Sequence, residues 1–288
     1  MRTIDFTVGE ACHGKKLLSF LRGEAQLSLK LIRSLKRVDN GILINGAHAR
    51  TIDIIKKGDT VTVNIPDDGA AGIPCELMPK VVYEDNDLLI VNKPAMLPIH
   101  ESHNHQGDTL ANSVAGYLQK KGLFCSFRAV GRLDKGTSGL VVCALNPHAA
   151  AKLSGNVKKR YLAVACGEFK GSGTIDAPIY RPDPVKTLRT VDERGDKAVT
   201  HWESLKTDGK LSLLSITLET GRTHQIRVHF ASLGAPLIGD TMYGKPDERI
   251  SHQALHCCAL TLTHPVTGEV ISCTAEMPQE MQKIADSI

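Results

Sequence analysis

Two stretches of the chain place charged side chains where they could do chemistry. The first covers residues 131–140, Gly-Arg-Leu-Asp-Lys-Gly-Thr-Ser-Gly-Leu, in which one acid, Asp134, sits between two bases, Arg132 and Lys135. Its glycines mark a turn that opens into the apolar run Leu140-Val141-Val142. Neighbouring cations favour an ionised carboxylate, so Asp134 is suited to act as a nucleophile or a fixed anion at neutral pH. It is equally suited to cap a turn while its neighbours are solvated. The second stretch, residues 219–229, reads Glu-Thr-Gly-Arg-Thr-His-Gln-Ile-Arg-Val-His. Here Thr223 can cap a helix that carries Gln225 and His229 on one face, with Arg222 projecting at its start. A helix start and a guanidinium fork both suit a carboxylate or a phosphate.

Other chemistries are excluded by their missing patterns. The chain has no phosphate-binding G-x-x-x-x-G-K-[ST], no G-x-G-x-x-G, no G-x-S-x-G and no H-E-x-x-H. The H-x-E and P-C-x-x-C pair that holds a deaminase zinc is absent too. His100, His103 and His105 cluster beside Glu101, but in a loop-like setting that gives no reason to expect a metal. The 8 cysteines include no C-x-x-C, and Cys257-Cys258 lies in a strand-like run, which fits buried thiols better than a redox or zinc site.

The elements that must position these residues follow from composition and spacing. With 288 residues, 42% hydrophobic and 23% charged, the chain has an ordinary globular composition, of a length that suits one large domain or two unequal ones. No uncharged apolar run reaches the roughly 18 residues of a membrane helix, and no secretory signal is visible, so a cytoplasmic, monomeric protein is expected. The net charge of +4 says little, but its distribution says more. Between His13 and Arg37 seven bases face one acid, Glu24. Residues 28–37 suit a helix with Ser28 as its N-cap, Leu29, Ile32 and Leu35 as one stripe, and Lys30, Arg33 and Arg37 as another. Charge alone leaves a solvated helix face as the simpler reading. Short strands are expected at residues 42–46 and 59–65, making residues 1–66 a small unit. Residues 67–79 resemble a linker, and residues 80–288 form the larger unit. Strands are expected there at 88–92, 139–144, 160–166, 211–218, 255–263 and 270–274, and helices at 109–119, 148–155, 224–233 and 279–284. Many strands with few helices between them predict an α+β fold with a mixed, mostly antiparallel sheet.

Two resemblances add to this. The basic helix, the Val38 to Gly46 turn and strand, and the G-D-x-V-x-V of Gly58 to Val63 resemble the small RNA-binding domain of S-four type. That likeness implies RNA binding through the helical face, by Lys30, Arg33 and Arg37. Four further motifs, in order, resemble the RluA family of pseudouridine synthases: Y-E-D-x-D-L-L-I-V-N-K-P (from Tyr83), R-L-D-x-x-T-S-G-L, K-x-Y-x-A-x-x-x-G (from Lys159), and T-G-R-T-H-Q-I-R-x-H followed by G-x-P-x-x-G-D-x-x-Y-G. The resemblance implies a uridine isomerase that needs no cofactor and acts on RNA, most often of the large ribosomal subunit. Transfer RNA is the alternative substrate, and an RNA-binding or ribosome-assembly protein with an idle centre is the non-enzymatic one. The implied roles are Asp134 as the essential carboxylate, Tyr161 as the ring stacking on the flipped uracil, Arg222 as the ion-pair partner of Asp134, and Arg132 as an RNA contact. Family members usually carry His before Arg-Leu-Asp, where this chain has Gly131.

Overall fold

A computed structural model describes residues 1–67, 72–102, 105–123 and 125–288. The N-terminal part holds the strand β1 (Arg2–Thr7), helices α1 (Leu17–Gly23) and α2 (Leu29–Leu35), and strands β2 (Ile42–Ile44), β3 (Ala47–His48) and β4 (Thr60–Ile65). Its four strands pair in the order β1-β4-β2-β3. Alternation of Ile4 and Phe6 with Thr3, Asp5 and Thr7 is the period-two signal of β1, which the sequence reading passed over. Ser28 caps α2 as expected, its hydroxyl accepting from the Leu31 amide at 3.2 Å. The apolar face is Leu31, Ile32 and Leu35, while Leu29 is exposed. In so short a helix the core contact is set by its last turn. Lys30, Arg33 and Arg37 are all exposed.

Of residues 67–79, four lie outside the described residues. Beyond them Ile73 and Cys75 are tied down. The Asn112 side chain donates to the Ile73 carbonyl at 2.6 Å, and the Cys75 amide donates to the Asn112 carbonyl at 3.2 Å. This stretch therefore packs on a helix instead of spanning free space.

The larger part contains β5 (Lys80–Glu84), β6 (Leu88–Lys93), α3 (Leu110–Lys120), β7 (Arg128–Val130), β8 (Ser138–Ala144), α4 (Pro147–Leu153), β9 (Val157–Cys166), β10 (Ser172–Asp176), β11 (Ile179–Tyr180), β12 (Thr190–Val191), β13 (Val199–Thr207), β14 (Leu211–Leu218), α5 (Gln225–Ser232), β15 (Leu255–Thr263), β16 (Val270–Thr274) and α6 (Gln279–Asp286). Among the described residues, ten strands form one mixed sheet whose main path is β10-β13-β14-β9-β15-β8-β6-β5. Only the pairing of β15 with β8 is parallel. Strand β8 is buried along its whole length and β6 over Leu88 to Val91, which explains why both are apolar runs without alternation. Strand β9 alternates. Tyr161, Ala163 and Ala165 share a core with Ile226 and Phe230 of α5, while Val164 packs with Met281 and Ile284 of α6 on the other face. No helix of the described residues is long and apolar enough to cross a membrane.

The two parts touch. Arg2 of β1 makes a two-pronged contact with Asp87, at 2.9 and 2.7 Å, and the Phe6 ring meets His148 edge-on at 6.5 Å.

Candidate active site

The order β14-β9-β15-β8 brings three segments to one end of the sheet. Asp134 lies in the turn between β7 and β8, Tyr161 projects from β9, and α5 follows β14. All three line a cleft of about 720 Å³ that also includes Gly131, Arg132, Lys159, Arg222, His224 and Arg227.

The Asp134 turn is held from several sides. The Thr137 amide donates to the Asp134 carbonyl at 3.1 Å, and the Gln253 amide group donates to the Thr137 hydroxyl at 3.0 Å. Gly139, just beyond, has φ +109°, and a Cβ there would stand 2.3 Å from the Cys257 carbonyl oxygen. Only glycine lets β8 approach β15 this closely. Lys93, fully buried, places its ammonium under the turn and donates to the carbonyls of Pro94, Leu97 and Lys135 at 2.9, 2.9 and 3.0 Å. Burial pulls its pKa down to about 7, with the Asp134 charge opposing the shift.

Above this floor the Asp134 side chain stays 24% exposed, and its Oδ2 accepts from Arg227 Nη1 at 3.1 Å. Arg227 is fixed in turn by Asp240, which takes its Nε and Nη2 at 2.7 and 2.9 Å. Burial alone would raise the Asp240 carboxyl, but the Arg227 hydrogen bonds and charge and the Met242 and Tyr243 amides outweigh it, so its pKa lies below the ordinary value. The guanidinium also lies over the Tyr243 ring, 5.1 Å from its centre. His224 completes the wall. The Tyr243 hydroxyl accepts from the Arg189 amide at 3.0 Å and shares a hydrogen bond with His224 Nδ1 at 2.8 Å. His224 Nε2 lies 4.0 Å from Asp134 Oδ2. Burial lowers the His224 pKa, which favours the neutral ring.

Tyr161 is 7% exposed and pairs with Ile216 of β14 and Cys257 of β15. A bulge between Cys257 and Ala259 lies opposite it, the kind of irregularity that aims a side chain into a site. Burial pushes its phenol well above the ordinary value, so the ring stays neutral.

The expected pairing of Arg222 with Asp134 is not what the structure holds. Arg222 lines the same cleft, but its Nε donates to the Lys197 carbonyl at 3.0 Å and its Nη1 lies 3.5 Å from Asp196. The partner of Asp134 is Arg227, five residues on. Thr223 is not the helix cap either. His224 takes that position with φ +59°, and the Gln225 side chain turns back to accept from the Arg222 amide at 2.9 Å. Gln225 and His229 do share a buried face, both bonding to the Thr200 hydroxyl. Arg132 is exposed at the cleft with no ion-pair partner among the described residues.

A signal for Arg227 was present. It stands between Ile226 and Val228 ahead of Phe230, and an arginine inside an apolar helix must find a carboxylate. Of the histidine cluster, His103 lies outside the described residues. His100 packs edge-on against Phe127, His105 bonds to Asp108 and Lys135, and Glu101 accepts from Asn112 and the Gly107 amide. One further group, Asp85, Asp87 and His264, converges closely enough for a cation. Its carboxylates already face Arg2, Asn146, Tyr83 and two backbone amides.

Residues 87–232 match the family described as RNA pseudouridylate synthase. The chain is 37% identical to the uncharacterized RNA pseudouridine synthase YhcT of Bacillus subtilis, over 98% of this chain and 96% of that protein. It is 35% identical to the ribosomal large subunit pseudouridine synthase D of Zymomonas mobilis, over 89% of this chain and 88% of the relative. Among solved structures it is similar to human RNA pseudouridylate synthase domain containing 1. The TM-score is 0.57 at 25% identity, over 73% of this chain and 94% of that one.

Proposed function

Since this chain belongs to the RNA pseudouridylate synthase family, we propose that it isomerises uridines of large-subunit ribosomal RNA, acting as a monomer with Asp134 as nucleophile. One observation carries the placement: an acid in a loop, partly exposed to a cleft, is held by a buried arginine that a second acid fixes from behind. In this reading an Asp134 oxygen attacks C1′ of the flipped nucleotide and the C1′–N1 bond breaks. Uracil then leaves with negative charge and turns so that C5 bonds to C1′, displacing the carboxylate. N1 gains a proton and C5 loses one, so the product is an isomer of the substrate and no co-reactant is needed.

The protein's part is positioning. Extruding a base costs a few kcal/mol of lost stacking, and the Tyr161 ring offers a surface that offsets some of it. Arg227 orients the nucleophile and balances its charge. In this reading Arg132 and Arg222, which line the cleft wall, meet phosphates of the RNA. The first 66 residues serve as an S-four-type RNA-binding unit, with Lys30, Arg33 and Arg37 on its exposed face. The target class rests on relatives named as ribosomal large subunit pseudouridine synthase D. Mapping pseudouridine in RNA from cells with and without the gene tests it. Loss of modification at large-subunit uridines is expected; loss confined to transfer RNA would reject that substrate.

A further inference from the structure

Two lysines reach the Asp134 loop, and they differ in what their ammonium groups touch. Lys93 is sealed beneath the turn, and each of its three N–H bonds has a carbonyl acceptor. It is a finished structural contact. Lys159, half-buried in the cleft wall, donates to a single acceptor, the Gly131 carbonyl at 2.7 Å. No carboxylate lies within ion-pair distance of it among the described residues, whereas Asp134, Arg222 and Arg227 each have a protein partner; Arg132 and Lys158 of the cleft also lack an ion pair there, but both are exposed while Lys159 is half-buried. Burial pulls its ammonium below the ordinary lysine value. A cation in a partly desolvated place, with two donors unused, has the chemistry of a group that awaits an anion.

Its position narrows which anion. Lys159 and Tyr161 are two residues apart on β9, so both project from the same face of the sheet. Both line the cleft with Asp134. Gly131 adds a second observation. It has φ +69°, and a Cβ there would stand 3.2 Å from the Lys159 Nζ and 3.6 Å from its Cε. Any side chain at that position would press on the ammonium.

We propose that Lys159 is a substrate-binding residue of this cleft, its ammonium taking an anionic oxygen of the flipped nucleotide, and that Gly131 leaves the room it needs. The oxygen belongs either to the phosphate of that nucleotide or to the uracil as it departs with negative charge. This builds on the placement of the reaction at Asp134, but not on the choice of ribosomal RNA.

The test uses the full chain and, as probe, total RNA labelled with [5-³H]uracil from cells lacking the gene. Single-turnover tritium release, filter binding across a salt series and thermal midpoint are measured for wild type, Lys159→Met, Gly131→Ala and the double variant. Lys159→Met should keep its thermal midpoint and lose activity. If the oxygen is on uracil, the single-turnover rate falls about a hundredfold with affinity unchanged. If it is on phosphate, affinity falls and the salt slope drops by roughly 0.7. Gly131→Ala should slow the wild type by about tenfold, through the displaced ammonium and the strain of an alanine at φ +69°, and should slow Lys159→Met by distinctly less, since only the strain remains to act there. Should Lys159→Met prove insoluble, Lys159→Gln carries the same comparison. The proposal is overturned if the lysine variant matches wild type in rate and binding, or if the two substitutions add in full. Because the probe is the whole RNA pool, a wrong target class would leave both readouts standing.

Discussion

Arg227 joins two carboxylates of different depth, one with a side chain 0% exposed and one 24% exposed. Its planar fork grips Asp240 with two nitrogens while the third reaches Asp134. A lysine keeps the charge but not the two contacts at once. Arg227→Lys should therefore slow the chemical step by more than a hundredfold while RNA binding stays within a few-fold. Arg227→Ala should also destabilise the fold by about 3–5 kcal/mol, because Asp240 is left buried and unpaired. Arg222→Ala, which breaks an exposed ion pair and an exposed hydrogen bond to the Lys197 carbonyl, should change stability by only about 1 kcal/mol. Single-turnover rates and urea unfolding distinguish these cases; an Arg222 variant as slow as the Arg227 one would reject the assignment. Lys93 gives a pH signature. Its pKa falls from the ordinary 10.5 to about 7 in the folded protein. Between those values the unfolded chain binds more protons, so this group makes stability rise with pH. The unfolding free energy of wild type minus that of Lys93→Met should grow from pH 7 to 10. A flat difference would show that Lys93 does not titrate there.

At the scale of elements, the sequence carried most of what periodicity can carry. Strands β8, β14, β15 and β16 and helix α5 lie within about two residues of their expected bounds. Each is apolar at a fixed period or bounded by glycine, proline or a cap. Strand β1 was not expected, because its alternation rests on only two apolar residues, Ile4 and Phe6, in a short polar stretch. Asp134, Tyr161 and Arg132 were legible from their motifs, and all reach the cleft. Arg227 was legible only as a charge among apolar neighbours; which carboxylates it meets depends on Asp240 arriving from the loop between α5 and β15, a tertiary fact that no local spacing encodes. The turned-back Gln225 side chain likewise displaced the expected Thr223 cap. Helix α2 was read correctly as basic, yet whether its exposed face meets RNA depends on the partner. Replacing Lys30, Arg33 and Arg37 together by Gln should lower the slope of log affinity against log salt by roughly 0.7–0.9 per lost phosphate contact. The expected result leaves turnover of bound RNA unchanged; an unaltered slope would mean that this face is simply solvated.

In the whole molecule, the N-terminal unit is anchored to the larger one by charge. Asp87, 2% exposed, takes the Arg2 guanidinium and the Asn146 side chain, with His264 Nε2 3.9 Å away. His264 Nδ1 accepts from the Val266 and Thr267 amides, which turns its Nε2 proton toward Asp85 and Asp87. Arg2→Ala should leave Asp87 without its main cation, destabilise the larger unit by about 3 kcal/mol and loosen the first 66 residues, which amide exchange would report. Equal protection in the variant would show that the anchor lies elsewhere. The isomerisation proposed above rests on a single carboxylate, that of Asp134. Asp134→Asn removes that charge with little change in volume. Tritium release from [5-³H]uracil-labelled RNA, run with equal amounts of wild-type and Asp134→Asn protein, is the most direct test. Release by the wild type and none above background by the variant, with RNA binding retained, is the predicted result, and substantial release by Asp134→Asn would contradict the account at its centre.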